Sequence, residues 1–88
     1  MLASDYYFYV EEFDEEFPIF AISPLSMYPR LDDSEDMDEV VEQLINPTMR
    51  SYRIEESTYE TDEYLEKHEI ISKLKKLGFI YKSNPNIP

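Results

Sequence analysis

The 88 residues contain no cysteine and no tryptophan, and only one glycine and one histidine. Without thiols there is no disulfide framework and no thiolate metal site, so an apolar core has to stabilise the fold alone. With Gly78 as its only glycine, the chain cannot form a P-loop or a dinucleotide-binding turn, which need several glycines where backbone meets phosphate. His68 is the only histidine, and no serine has a base near it in a recognisable nucleophilic pattern. Basic residues are also scarce. Eight Lys and Arg stand against twenty Asp and Glu, a formal net charge of −12, with an isoelectric point near 4.2. Phosphate recognition requires Lys and Arg, which argues against direct binding of DNA, RNA or anionic lipid. Any electrostatic partner should therefore be basic. No apolar run reaches the ~18–20 residues of a membrane span. The opening MLASDYYFYVEE has no basic stretch ahead of its apolar run, unlike a signal peptide. A cytoplasmic, non-enzymatic protein without cofactor is expected.

The chain does contain aromatics in quantity, eight Tyr and five Phe, within an apolar fraction of 42 %. Large rings bury much area at small entropic cost and suit a small core. The length predicts one domain over 1–83 with a flexible tail at 84–88. Tyr6–Phe13 reads as a strand, with Tyr6, Phe8 and Val10 on one face and Tyr7 and Tyr9 on the other. Two apolar faces predict a central strand or one covered by helices. Asp14–Glu16 then connects to a second strand, Phe17–Ser23, in an antiparallel hairpin, with Pro18 at the strand start or on an edge.

Asp36 and Glu39 match a capping box, followed by the stripe Met37, Val40, Val41 and Leu44 of an amphipathic helix that Asn46-Pro47 ends. Met49–Glu56 alternates as a third strand, and Ser57–Tyr59 reads as a connection. Thr61 is the expected N-cap of a helix over Asp62–Leu77, its buried side formed by Tyr64, Ile70, Ile71, Leu74 and Leu77. Gly78 falls where a left-handed cap is wanted, and Phe79–Tyr81 makes a last strand. The predicted fold is a small α+β domain in β-β-α-β-α-β order, a mainly antiparallel sheet with two helices packed on one face. Among the tyrosines, Tyr7, Tyr9, Tyr28 and Tyr59 are candidate exposed anchors, and Tyr6, Tyr52, Tyr64 and Tyr81 are expected in the core.

The acid is concentrated in two blocks, Glu11–Glu16 and Asp32–Glu39. Residues 1–50 hold thirteen carboxylates against Arg30 and Arg50, whereas residues 51–88 are nearly balanced. The alternation Asp32, Ser34, Asp36, Asp38 suggests a calcium loop. An EF-hand, however, needs Gly at its sixth position and Glu at its twelfth, where this chain has Met37 and Gln43. No metal site is expected. Adjacent pairs such as Glu11/Glu12 and Glu15/Glu16 point to opposite strand faces and do not converge as acid and base. The candidate partner-binding residues are Glu11, Glu12, Asp14, Glu15, Glu16, Asp32, Asp33, Glu35, Asp36 and Asp38, with Tyr28 as an aromatic anchor; Glu42, Glu55, Glu56, Glu60, Asp62, Glu63 and Glu66 extend the same footprint if the fold gathers them.

In size, acidity and lack of catalytic motif, the chain resembles small phage-encoded inhibitors of host defence and DNA-handling enzymes, such as DNA-mimic anti-CRISPR and anti-restriction proteins. That resemblance is compositional and covers no motif. It implies a non-enzymatic monomer or homodimer in the host cytoplasm, bound to a basic nucleic-acid-binding enzyme. The alternatives are an acidic adaptor or antitoxin-like partner binding through an apolar strand edge, and a divalent-cation-binding module.

Overall fold

The computed structural model describes residues 1–12, 17–30 and 35–83. It is a small α+β domain with a five-stranded mixed sheet and two helices. Strands β1 (Tyr6–Glu11) and β2 (Ile19–Pro24) form the expected antiparallel hairpin. They are joined by β3 (Ser51–Glu55), β4 (Thr58–Thr61) and the two-residue β5 (Ile80–Tyr81). The order across the sheet is β3-β4-β2-β1-β5, antiparallel except where β5 runs parallel to β1. β1 is therefore an inner strand, as its two apolar faces require. Pro18 lies just before β2 and Pro24 closes it, so neither removes a donor from the strand interior.

The first correction to the sequence reading is β4. Residues 57–59 do not connect β3 to a helix; Thr58 already pairs with Glu55, and the strand runs on to Thr61. The element order is thus β-β-α-β-β-α-β. The β3–β4 turn at Glu56-Ser57 carries no Gly or Asn, so the strongest hairpin signal is missing. A bulge adds a second obstacle. Arg53 pairs with Tyr59 and Glu55 with Thr58, which leaves Ile54 as an extra residue and breaks the alternation.

The second correction follows from the first. Helix α2 spans Lys67–Leu77 rather than starting at Asp62, because Thr61 is spent on β4 and Asp62 N–H still donates to Arg50 O at 2.9 Å. Glu66 is the actual N-cap. Its N–H donates to the Glu69 carboxylate at 3.1 Å in a capping box, and Leu65 and Ile70 on either side are buried in one cluster, as in a hydrophobic staple. The helix ends as expected. Gly78 has φ 107°, Gly78 N–H donates to Lys75 O at 3.0 Å, and Phe79 N–H reaches Leu74 O at 3.2 Å. This is a Schellman cap, completed by the burial of Phe79 with Leu74.

Helix α1 begins at Asp38–Val40 and continues as a wider π turn over Val41–Ile45, marked by the bond from Asn46 N–H to Val41 O at 2.8 Å. Met37, not Asp36, is its N-cap residue; Asp36 stands just before it and accepts from Asp38 N–H at 2.8 Å. Glu39 does not complete the expected box, since its carboxylate accepts from Gln43 Nε2 at 3.1 Å instead. The buried stripe is Met37, Val40, Val41 and Ile45. Ile45 is fully buried, while Leu44 is only partly so.

Phe8 and Val10 of β1, Phe20 and Ile22 of β2 and Tyr59 of β4 meet Val40, Val41 and Ile45 and the α2 residues Ile70 and Leu74 in the main core. A smaller cluster of Tyr7, Tyr9 and Ala21 with Leu25 and Ile80 lies on the opposite face of the sheet. There the segment after β2 supplies cover. Tyr7 Oη donates to Arg30 O at 2.8 Å, and the Tyr28 ring stands edge-on to Tyr7 at 5.3 Å.

The tyrosines sort almost opposite to expectation. Tyr7, Tyr9 and Tyr59 are buried, whereas Tyr52, Tyr64 and Tyr81 are exposed. Of the expected anchors only Tyr28 is exposed, and of the expected core tyrosines only Tyr6 is even half-buried. The reasons are local. β3 is an edge strand, Tyr64 lies in the segment between β4 and α2, and Tyr59 belongs to the strand that the sequence did not reveal.

Candidate functional site

Of the candidate binding residues, Asp14, Glu15, Glu16, Asp32 and Asp33 lie outside the described residues. The others fall into separate places. Glu11 ends β1 on the face opposite the helices, where the strand register lines up Glu11, Ile19, Glu60 and Tyr52 in one row across four strands. Glu12 follows it and is exposed. Asp36 and Asp38 sit on the helix side at the start of α1. The sheet thus stands between Glu11 and the Asp36–Asp38 pair. It does not gather them into one patch.

The carboxylates at the start of α1 are partly committed inside the molecule. Arg53 Nη1 lies 3.5 Å from Asp36, 3.6 Å from Asp38 and 3.7 Å from Glu56. Tyr59 Oη donates to Asp38 at 2.7 Å, tying the buried ring of β4 to the first residue of α1. Burial, reinforced by this bond to a carboxylate, pushes the Tyr59 phenol well above its ordinary pKa. Asp38 is therefore part of the joint between α1 and the sheet. The sequence held no direct signal for this pairing, because β4 had to be recognised before Tyr59 could be placed opposite α1. A shallow depression of about 190 Å³ lies beside the joint, between Asp38, Glu42, Asn46 and Arg53.

Tyr28 is exposed, but its ring is occupied. Lys82 Nζ stands 4.8 Å from the ring centroid, a cation–π contact within the chain. His68 is exposed on α2, along a groove shared with Lys75 and Lys76. Among the described residues, no group of three or more His, Cys, Asp or Glu is placed to hold a metal ion. No described helix is long and apolar enough to cross a membrane.

Sequence reasoning named Glu55, Glu56, Glu60, Asp62 and Glu63 only as further acid that a fold could gather, and the β3–β4 hairpin is what organises them. Glu55 and Glu56 lie at its turn, Glu60 on its helix-free face, and Asp62 and Glu63 just beyond β4. Asp36 and Asp38 approach the same hairpin from the helix side through Arg53. Acid therefore surrounds the β3–β4 edge on both faces. The cations lie largely elsewhere. Lys73, Lys75 and Lys76 are in the C-terminal half of α2, which leads into β5 at the opposite edge, and Lys82 follows β5. Of the two arginines on the acidic side, Arg50 pairs with Asp62 at 3.0 Å, and Arg53 is held by the three carboxylates already named. A fixed charge asymmetry runs across the sheet, and the strand order creates it.

Two exposed tyrosines sit beside carboxylates. Partial desolvation raises the Tyr52 pKa, with a hydrogen bond to Glu60 and the charges of Glu60 and Asp62 adding to it. For Tyr64 the hydrogen bond to Glu66 is the main cause, followed by desolvation and the charges of Glu66, Glu12 and Glu69. Comparison of the chain with protein-family models, curated proteins and solved structures gave no match.

Proposed function

We propose that the protein is a non-enzymatic acidic inhibitor that occupies a basic nucleic-acid-binding surface of another protein, in the manner of a DNA mimic. The observation that carries this reading is the separation of charge across the sheet, with carboxylates on both faces of the β3–β4 edge and lysines towards β5. Carboxylates on one strand face repeat every ~6–7 Å, and duplex DNA presents a phosphate every ~3.4 Å of axis on each strand. A hairpin edge with acid on both faces offers closely spaced negative charge to a groove. Steering by the net charge speeds the encounter, and rings beside the acids supply residence time. A phage origin and action on a host defence or DNA-handling enzyme in the host cytoplasm belong to the same proposal and rest on composition.

The experiment is neutralisation of the edge. Replacing Glu55, Glu60, Asp62 and Glu63 by their amides together should abolish binding to a basic nucleic-acid-binding partner while leaving the fold intact. Retention of full affinity would remove the charge from the account.

A second reading is favoured by one observation. β3 is an edge strand with Tyr52 46 % and Ile54 43 % exposed, so an adaptor that receives a partner strand at this edge is the alternative. The bulge at Ile54 and the charges of Arg53 and Glu55 are devices that discourage such pairing. The same amide substitutions separate the two readings, since strand addition should tolerate them.

A further inference from the structure

We propose that the ring pair Phe17–Tyr64 is an anchor for an arginine side chain on a basic partner segment. This rests on the acidic-surface reading and deepens it by naming the group that is recognised. The two rings lie 5.1 Å apart at 55°. They are 53 % and 55 % exposed and belong to neither core cluster, so folding has left two large apolar rings against water. Their setting is anionic. The charges felt by Tyr64 come from Glu66, Glu12 and Glu69, all carboxylates. The nearest cation in sequence is Lys67, which opens α2, and Arg50 is paired with Asp62.

Tyr28 supplies an internal comparison. Its exposed ring already holds Lys82 at 4.8 Å, whereas among the described residues no cation stands over Phe17 or Tyr64. A ring pair edged by carboxylates is complementary to a guanidinium. The planar cation lies on an aromatic face while its fork donates to a carboxylate. A lysine ammonium is a compact, strongly hydrated charge and fits the face less well. Phe17 lies two residues before Ile19 of β2 and Tyr64 in the segment between β4 and α2, so the anchor sits where β2 begins and the chain leaves β4 for α2.

The test is an NMR titration of the isotope-labelled full chain with an arginine-rich peptide and with its lysine counterpart of equal length and charge. Shifts should centre on Glu12, Phe17, Tyr64 and Glu66, with the arginine peptide bound about two- to fivefold more tightly. Tyr64→Ala or Phe17→Ala should erase that preference. Tyr64→Leu, which keeps the bulk and removes the ring, should do the same, and unchanged melting temperatures would exclude unfolding as the cause. Equal binding of the two peptides, or shifts centred on Glu35–Glu42 or the β3–β4 hairpin, would overturn the anchor and leave the acidic-surface reading standing. Absence of shifts with either peptide would overturn both.

Discussion

Replacing Tyr59 by Phe removes one oxygen and nothing else, which makes it a clean probe of how α1 is held to the sheet. The ring is 1 % exposed and stacks on Phe20 at 5.7 Å, so its packing survives the change. What disappears is the 2.7 Å hydrogen bond to Asp38. A bond to a charged group contributes about 1.5–3 kcal/mol. Asp38 is only half-buried and regains water once released, so the lower end applies. About 1–2 kcal/mol is expected, and at roughly 4–8 °C per kcal/mol a domain of this size should melt about 5–15 °C lower.

The same substitution has a signature in pH. The Tyr59 pKa is raised in the folded state, so the folded protein holds this proton above pH ~10 where the unfolded chain releases it. Stability from this group is complete below pH ~10 and declines above it, by up to about 1.4 kcal/mol per pH unit. Tyr59→Phe should lack that component of the alkaline decline. Denaturant melts of both proteins between pH 7 and 11 measure both effects. Equal stability at pH 7 and parallel slopes above pH 10 would refute the joint and return Asp38 to the pool of free surface charge.

Other perturbations separate structural from surface roles. Arg53→Gln removes contacts of 3.5–3.7 Å between exposed groups, so stability measured by urea titration should change by less than about 1 kcal/mol. Gly78→Ala puts a Cβ at φ 107° and 3.3 Å from Ala3 Cβ and should cost about 1–2 kcal/mol in the same assay. Ile45→Ala opens the core at a residue with no exposure and should cost about 2–5 kcal/mol. The paired change Tyr52→Ser with Ile54→Thr, both on the outer edge, should leave the melting temperature within a few degrees.

The parts of the fold visible in the sequence were those set by local chemistry. The apolar runs of β1 and β2 share one short connection, and Gly78 follows a periodic stripe, so the hairpin and the end of α2 were readable from spacing alone. Two features misled the reading of the middle. Thr61 is an acceptable N-cap by type, but it has Tyr64 rather than Glu or Gln three residues on. The better signal, Leu65-Glu66 with Glu69-Ile70, lay four residues later. The β3–β4 turn lacked turn residues and the strand before it was bulged, so a hairpin looked like a strand followed by a loop. Misplacing β4 then misplaced Tyr59, Tyr64 and the acid around them.

The candidate site shows a related limit. Acid was legible as a count and as two blocks in sequence, but its arrangement depends on strand order. Glu11 and Asp38 belong to the two densest blocks and are kept apart by the sheet. Glu55, Glu60 and Asp62, from the half of the chain that looked balanced, come together because β3 and β4 form an edge. The lysines that balance them in number lie mostly towards the opposite edge. Net charge over a segment hid a separation that exists only in three dimensions.

Competition for a basic partner tests the central claim most directly. A nucleic-acid-binding protein captured from a bacterial lysate on this chain would be loaded with fluorescent duplex DNA and titrated with the chain at stepped salt concentrations. The account predicts complete displacement of the duplex, with affinity falling steeply as salt rises. A ternary complex that retains the DNA, or binding that is indifferent to molar salt, would contradict it.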